Sequence, residues 1–508
     1  MSRRAVVPLL SLGLDPAAEQ PLFRQLYGQL REAILAGRLG GGQRLPSSRL
    51  LAGELGCSRN TVLGALDQLL AEGYLEGRRG SGTYVSSVLP DELLTARRGP
   101  AAPADRRPAP QLGARGRRLA ALSRPGERSR GGRGTAFVPG LPDLAAFPFD
   151  VWGRLLGRFW RHPPARLARH GDCAGDPALR AAIADYLRTV RALAVEPEQV
   201  FVTSGAQQGV DLAARLLLDA GDRVWLEDPG YVGLRGPLLA AGATPVPLAV
   251  DGEGLCVADG RAADRRDGAA ARMAVVSPSH QYPLGVVMSL ARRLELLGWA
   301  REAGAWILED DYDSEFRYAG RPLAALQGLD AGGGRVVYLG SFSKVLFPSL
   351  RIGYLVVPPG LVEPFRAARA ALEDHPAATA QPALAAFIAE GHFAAHVRRM
   401  RALYQARQQA LLAAAGRQLE GLLLLRPDEA GMHLVADLTP ALAARLTDLE
   451  ASERAAAAGL VAPPLSAYRF AEGARVGAPS RQGLLLGYAA VPEGEMERAV
   501  AGLARALR

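Results

Sequence analysis

Between Ser87 and Thr135 the chain loses every periodic apolar face, and no other feature constrains its fold as much. The segment is rich in Pro, Gly, Ala and Arg. Such a composition buries too little apolar surface to offset the entropy of ordering a chain. It is expected to be a linker over 87–135, dividing the 508 residues into a small module, 1–86, and a large one, 136–508. Between Arg97 and Arg133 eleven arginines stand against Asp105 and Glu127, a surplus that equals the formal net charge of +9 of the whole chain. A solvated spacer and a basic strap that touches phosphates both fit such a run.

No apolar stretch free of charge and proline is long enough for a membrane helix. Arg3-Arg4 and the apolar run to Leu14 mimic a signal peptide. Pro8 interrupts that run, however, and Asp15-Pro16 follows without a small-residue cleavage site. Cys57, Cys173 and Cys256 are too scattered for a disulfide framework or a metal cluster, so a reducing cytoplasm is the expected setting.

In the small module Leu22, Leu26, Leu30, Ile34 and Leu35 recur at helical spacing, predicting a helix over 20–36. Ser47 or Ser48 caps a second helix through Leu55. Ser58 caps a third, with Val62, Leu66, Leu69 and Leu70 on one face. Tyr74-Leu75-Glu76 and Thr83-Tyr84-Val85 then flank Arg78-Arg79-Gly80-Ser81-Gly82 as a hairpin. Three helices and a hairpin describe a winged helix-turn-helix. Ser58, Arg59, Asn60 and Thr61 occupy the first turn of its third helix, where a recognition helix meets bases and phosphates. Arg59 suits a bidentate contact to guanine and Asn60 one to adenine; Arg49, Arg78 and Arg79 suit phosphates or the minor groove. The bland alternative is a capped, solvated helix start.

This stretch resembles the GntR family of bacterial transcription factors. The resemblance rests on Leu22-Phe23-Arg24-Gln25-Leu26, Arg44-Leu45-Pro46-Ser47-Ser48-Arg49, Ser58-Arg59-Asn60-Thr61-Val62 and Gly80-Ser81-Gly82-Thr83-Tyr84-Val85. It implies that Arg49, Arg59, Thr61 and Gly80 contact DNA.

In the large module, apolar runs at 200–202, 223–226, 273–276, 306–308 and 336–339 look like buried strands separated by helical stretches. They predict an α/β fold around a mostly parallel sheet, with ligands beyond the carboxyl ends of its strands. Four constellations fall at such ends. Thr203-Ser204-Gly205-Ala206-Gln207 opens a helix and suits a phosphate. Glu309-Asp310-Asp311-Tyr312-Asp313 is a carboxylate run with no His or Cys beside it, so no transition-metal site is expected there. A buried carboxylate facing a pyridine nitrogen would keep that nitrogen protonated. Ser341-Phe342-Ser343-Lys344 carries an amine able to form an imine with an aldehyde, with Ser341 and Ser343 as phosphate donors. Arg351 adds a bidentate phosphate contact. Lys344 is the only lysine among 60 basic residues, and arginine cannot take that role because its guanidinium stays protonated. A phosphate, an aldehyde and a ring nitrogen together describe pyridoxal 5′-phosphate.

Order and spacing from Phe137 to Arg508 resemble the fold-type I aminotransferases. That resemblance implies an imine at Lys344, Asp310 on the pyridine nitrogen, Tyr312 on the phenolic oxygen and Tyr231 near the ring. It gives Ser204, Gly205, Ala206, Gln207, Ser341, Ser343 and Arg351 to the phosphate. The two modules together resemble the MocR subfamily of GntR regulators, a resemblance extended by 277–285 and 391–407. It implies a homodimer that binds operator DNA and senses the cofactor, or an amino acid or amine that exchanges with Lys344. Two departures stand out. The stretch Leu484–Tyr488 lacks the arginine that holds a substrate carboxylate in enzymes of this fold, and only Arg481 lies close. Arg235 is the alternative candidate for an effector carboxylate. His170 stands where the family carries a tyrosine that reaches the neighbouring subunit's phosphate. The rival readings are a working aminotransferase with an accessory N-terminal module and a DNA-binding protein with a cofactor-free domain.

Overall fold

The computed structural model describes residues 12–78, 80–90, 111–122, 136–319, 324–330, 334–470 and 481–508. It separates into two compact units, 1–111 and 112–508.

In the first unit, α1 (Leu22–Leu35), α2 (Ser48–Glu54) and α3 (Arg59–Ala71) precede a hairpin of β1 (Leu75–Arg78) and β2 (Gly82–Val85). Leu26, Leu30 and Ile34 of α1 pack with Leu51, Val62, Leu66 and Leu69, and the hairpin closes this core with Leu75 and Val85. Leu35 falls off the stripe and is exposed. Ser47 caps α2 through the Leu50 amide and Ser58 caps α3 through the Thr61 amide. The unit is a winged helix-turn-helix, as its sequence predicted.

The second unit is an α/β fold, as its sequence predicted. Its eight-stranded sheet runs in the order β3-β10-β9-β8-β7-β4-β5-β6. The strands are β3 (Val200–Thr203), β4 (Arg223–Asp228), β5 (Thr244–Asp251), β6 (Gly254–Leu255), β7 (Met273–Val276), β8 (Trp306–Asp311), β9 (Val336–Ser341) and β10 (Gly353–Val356). All five predicted strands form. The run from β5 through β4, β7 and β8 to β9 is parallel, while β10 lies antiparallel between β9 and β3. Buried strands such as Met273–Val276, covered on both faces, read as unbroken apolar runs for that reason. A second sheet, β11 (Leu423–Leu425), β12 (His433–Leu438) and β13 (Gly483–Gly487), is antiparallel.

Four further helices matter below: α4 (Ala114–Ala120), α5 (Pro177–Arg191), α6 (Ala206–Leu217) and α7 (Arg235–Ala241), besides the long α8 (His392–Gln418). The helix α4 falls within the span expected to be a linker and packs against α7, with Leu122 beside Gly236 and Arg115 beside Gly242. The remainder of that span from 91 to 110 and from 123 to 135 lies outside the described residues.

Candidate cofactor and DNA-binding sites

The carboxyl ends of β3, β8 and β9 converge because β10 stitches two of them together. Its first residue, Gly353, sits opposite both Thr203 and Ser341. A Cβ at Gly353 would lie 3.0 Å from Thr203 Oγ1 and 3.1 Å from the Gly205 carbonyl carbon, so only glycine lets the three segments meet. Gly205 itself caps α6 with φ +110°, a conformation closed to other residues. A Cβ there would meet Cζ, Nη1 and Nη2 of Arg351, each at 3.2 Å. Equal distances to all three atoms mean that the guanidinium lies flat over Gly205. Arg351, at φ +51°, is held in the left-handed region to reach this position. The open amides of the α6 amino end, a guanidinium and two serines therefore share one corner.

Ser343 N–H donates to Ser341 Oγ at 3.3 Å, and Ser343 Oγ is buried without a hydrogen-bond partner. A buried hydroxyl left unmatched costs about 1–3 kcal/mol, a cost that a phosphate oxygen would remove. Gln207 Nε2 donates to the Gly233 carbonyl at 3.2 Å, tying the phosphate corner to the loop that carries Tyr231. Ser204 is exposed and its N–H donates to Gln208 Oε1 at 2.6 Å.

Lys344 follows β9 and its Nζ donates to the Gly140 carbonyl at 3.1 Å. A side chain at Gly140 would have its Cβ 2.8 Å from that nitrogen. Asp310, near the end of the neighbouring β8, is buried, and its carboxylate makes no hydrogen bond to another described residue. Burial pushes its carboxyl up to about 7, with Asp311 and Asp313 adding to the rise and Lys344 opposing it. A carboxyl so poised accepts a hydrogen bond from a protonated ring nitrogen, which restores its charge. These residues fit pyridoxal 5′-phosphate on three counts: an orphaned hydroxyl beside a flat guanidinium, a primary amine, and a buried carboxyl with no side-chain hydrogen bond to a described residue.

Tyr312 is half-buried, and its hydroxyl lies 3.0 Å from His280 Nδ1. Tyr231 is 38% exposed, with its ring over Gly233 and edge-on to Tyr282 at 5.8 Å. The sequence reading gave His280 no role. His280 also contacts Asp313 Oδ2 at 3.0 Å and Asp428 Oδ2 at 3.2 Å. Burial alone would depress its imidazolium, but Asp313 and Asp428 outweigh it and raise the group to about 10. Burial together with that charge holds His433 down at about 4. Lone His and Asp positions 33 and 148 residues apart carry no local signal. The stretch Ser277–Gly285, quoted above only for its resemblance, was the one available hint.

The two effector candidates are engaged elsewhere. Arg481 forms a fork with Asp437, at 2.6 and 3.0 Å. Arg235 donates to the Tyr468 carbonyl at 2.8 Å, and its guanidinium lies 3.8 Å from the Phe470 ring centroid. His170 pairs with Asp374 at 2.6 Å on the surface, with His375 beside them.

In the first unit Arg49, Ser58, Arg59 and Asn60 are exposed, and Thr61 turns its hydroxyl toward Ser58 Oγ at 2.8 Å. Arg59 Nε donates to Ser48 Oγ at 3.3 Å, which draws the starts of α2 and α3 onto one face. Arg78 pairs with Glu76 at 2.6 Å and lies 4.5 Å from the Tyr84 ring centroid. Gly80 turns the wing at φ +72°. Arg79 lies outside the described residues. Arg44, not counted among the DNA contacts above, runs along Gly82 with its Nε 3.1 Å from a Cβ placed there, adding a cation to the wing.

Fold and site together define a DNA-binding winged-helix head carried on the same chain as an aminotransferase-type domain. The family described as "Bacterial regulatory proteins, gntR family" matches residues 22–85, and "Aminotransferase class I and II" matches 163–503. The chain is 45% identical over 493 residues to the "Probable rhizopine catabolism regulatory protein MocR" of Rhizobium meliloti, covering 97% of this chain and 95% of that one. It is 35% identical to the "HTH-type pyridoxine biosynthesis transcriptional regulator PdxR" of Corynebacterium glutamicum, covering 84% and 85%. Among solved structures, LysN, an alpha-aminoadipate aminotransferase of Thermus thermophilus complexed with N-(5'-phosphopyridoxyl)-L-leucine, matches with a TM-score of 0.67 at 26% identity, covering 77% of this chain and 96% of that one. The chain belongs to the MocR subfamily of GntR-type transcriptional regulators. Among the described residues no helix is long and apolar enough to cross a membrane.

Proposed function

We propose that this chain is a transcriptional regulator whose C-terminal unit senses pyridoxal 5′-phosphate, or an amine that reacts with it, and whose winged-helix head reads operator DNA. One observation carries the reading. The only lysine of the chain follows β9, beside a corner suited to phosphate and within electrostatic reach of a buried carboxyl, Asp310, that has no side-chain hydrogen bond to a described residue.

When bound, the cofactor supplies an aldehyde that condenses with a primary amine, so an amino acid or amine competes with Lys344 for it. The residues of the chain do the rest. Arg351, Ser343 and the first amides of α6 anchor the phosphate. Asp310 would hold the ring-nitrogen proton, and Tyr312, braced by His280, would serve the phenolic oxygen. With the cofactor held by an effector amine, Lys344 would be free to leave its place beside Gly140, and the domain would shift between states only if the effector binds them unequally. A homodimer in the cytoplasm presents two heads to paired half-sites, in keeping with helix-turn-helix geometry.

Steady aminotransferase turnover is the lesser reading, because Arg481 is engaged by Asp437 and residues 484–488 carry no arginine. The deciding experiment follows fluorescence anisotropy of a labelled DNA fragment from the promoter of the gene itself. The reading expects an affinity that changes at least several-fold with pyridoxal 5′-phosphate or an amino-acid effector in wild type and not in Lys344→Ala. Equal responses in the two proteins overturn it.

A further inference from the structure

A cavity of about 570 Å³ opens between the end of α5 and the start of α8. That volume falls in the range of small-molecule sites, about 300–1,000 Å³. Three of its lining residues are cationic, Arg191, Arg398 and Arg401, and none is acidic. The rest is mostly apolar, including Phe393 and Val397.

The cations differ in what they already hold. Arg191 is buried, with Nη2 2.7 Å from Asp311 Oδ2 and 2.7 Å from Ser279 Oγ. Arg401 gives its Nε to the Glu315 carbonyl. Arg398 makes neither a hydrogen bond nor an ion pair with any described residue and is exposed. Arg398 and Arg401, three apart on α8, share one helix face, where like charges repel. Phe393 and Ala394 belong to the first turn of this 27-residue helix, and the cavity runs along its flank from there to Arg401. An anion that bridges the two guanidiniums relieves the repulsion, and the apolar walls ask for a hydrocarbon body behind it.

We infer that this cavity is a second ligand site, for a small monocarboxylate with an apolar body. It is separate from the corner around Lys344. It is also wired to that corner. Asp311, the partner of Arg191, directly follows Asp310 on β8, and successive strand residues point to opposite faces of the sheet. An anion that draws on Arg191 leaves Asp311 less neutralised, and Asp310 feels that charge through one peptide unit. The binding claim stands without the cofactor; the coupling claim rests on the proposed role of Lys344.

The test uses the full chain and three probes: 3-phenylpropionate, 4-methylpentanoate and inorganic phosphate. Isothermal calorimetry is expected to give saturable binding of both carboxylates, tighter than phosphate. Arg398→Glu, an exposed charge reversal, should weaken it at least ten-fold. Ala394→Phe, which fills the cavity from an exposed position without changing charge, should do the same. Arg118→Glu on α4 should change nothing. Lys344→Ala should bind the carboxylates as wild type does, so loss of the cofactor reading leaves this result intact. In cofactor-loaded wild type the carboxylates should shift the visible absorbance band, and in Arg398→Glu they should not. Absent carboxylate binding, phosphate binding more tightly, or affinity unchanged in both cavity variants would each overturn the site. Binding without a spectral shift would overturn the coupling.

Discussion

Arg351→Gln separates recognition of the phosphate from recognition of the rest of the cofactor. In the structure the Arg351 guanidinium lies flat over Gly205, its Cζ, Nη1 and Nη2 each 3.2 Å from the point where a Cβ would stand. It therefore lies against the residue that opens α6. Glutamine keeps a hydrogen-bond donor of shorter reach but removes the charge. A hydrogen bond to a charged group contributes about 1.5–3 kcal/mol, which corresponds to roughly 10- to 150-fold in dissociation constant. The assay is an absorbance titration of cofactor-free protein with pyridoxal 5′-phosphate and, in parallel, with pyridoxal, which has no phosphate. Arg351→Gln should lose affinity for the first by that factor and keep its affinity for the second within about two-fold. Equal losses for both ligands would mean that the arginine supports the fold of the corner and not the phosphate. No loss for either would remove the corner from the site.

Gly205→Ala should reproduce the phosphate-specific loss, because its Cβ pushes the same guanidinium away. It should also cost about 1–3 kcal/mol of stability in chemical denaturation, since φ +110° is closed to alanine. For DNA, Arg59→Ala should weaken operator binding by about 1–3 kcal/mol and relax the preference at one base pair. Arg49→Ala should weaken all sequences alike and lower the salt dependence, which a salt series on matched and mutated operators will show. His280 gives a pH prediction. Its folded value of about 10 lies above the ordinary 6.5, so its stabilisation is complete below pH 6.5 and is lost as pH rises toward 10. That loss has a slope of up to about 1.4 kcal/mol per pH unit. Denaturation of His280→Gln should lack this component of the slope; parallel pH profiles for variant and wild type would contradict the assignment.

Much of this molecule is legible where chemistry is local. The polar first turn Ser58–Thr61, the hairpin turn at Gly80 and the Ser341–Lys344 stretch after β9 are each contiguous in sequence, and each keeps its neighbours in the fold. What escaped is non-local or patterned against its own strand. The strand β5 carries Pro245 and Pro247 and alternates in burial, so it hid beside the buried apolar runs. The short β10 hid behind the motif read for Arg351. Yet it is β10 that brings Thr203 and Ser341 together, residues 138 positions apart in the chain. Arg481 looked available for a carboxylate because Asp437, 44 residues away, becomes its neighbour only once β12 and β13 pair. The clasp around His280 joins three separate segments, and no spacing rule reports it.

Borohydride reduction of the cofactor-incubated full chain, followed by peptide mass spectrometry, tests the central claim most directly. One lysine in 508 residues makes the outcome unambiguous. A phosphopyridoxyl group is expected on the peptide that contains Lys344, and none in Lys344→Ala. An unmodified Lys344 peptide, or label that persists in the variant, would contradict it.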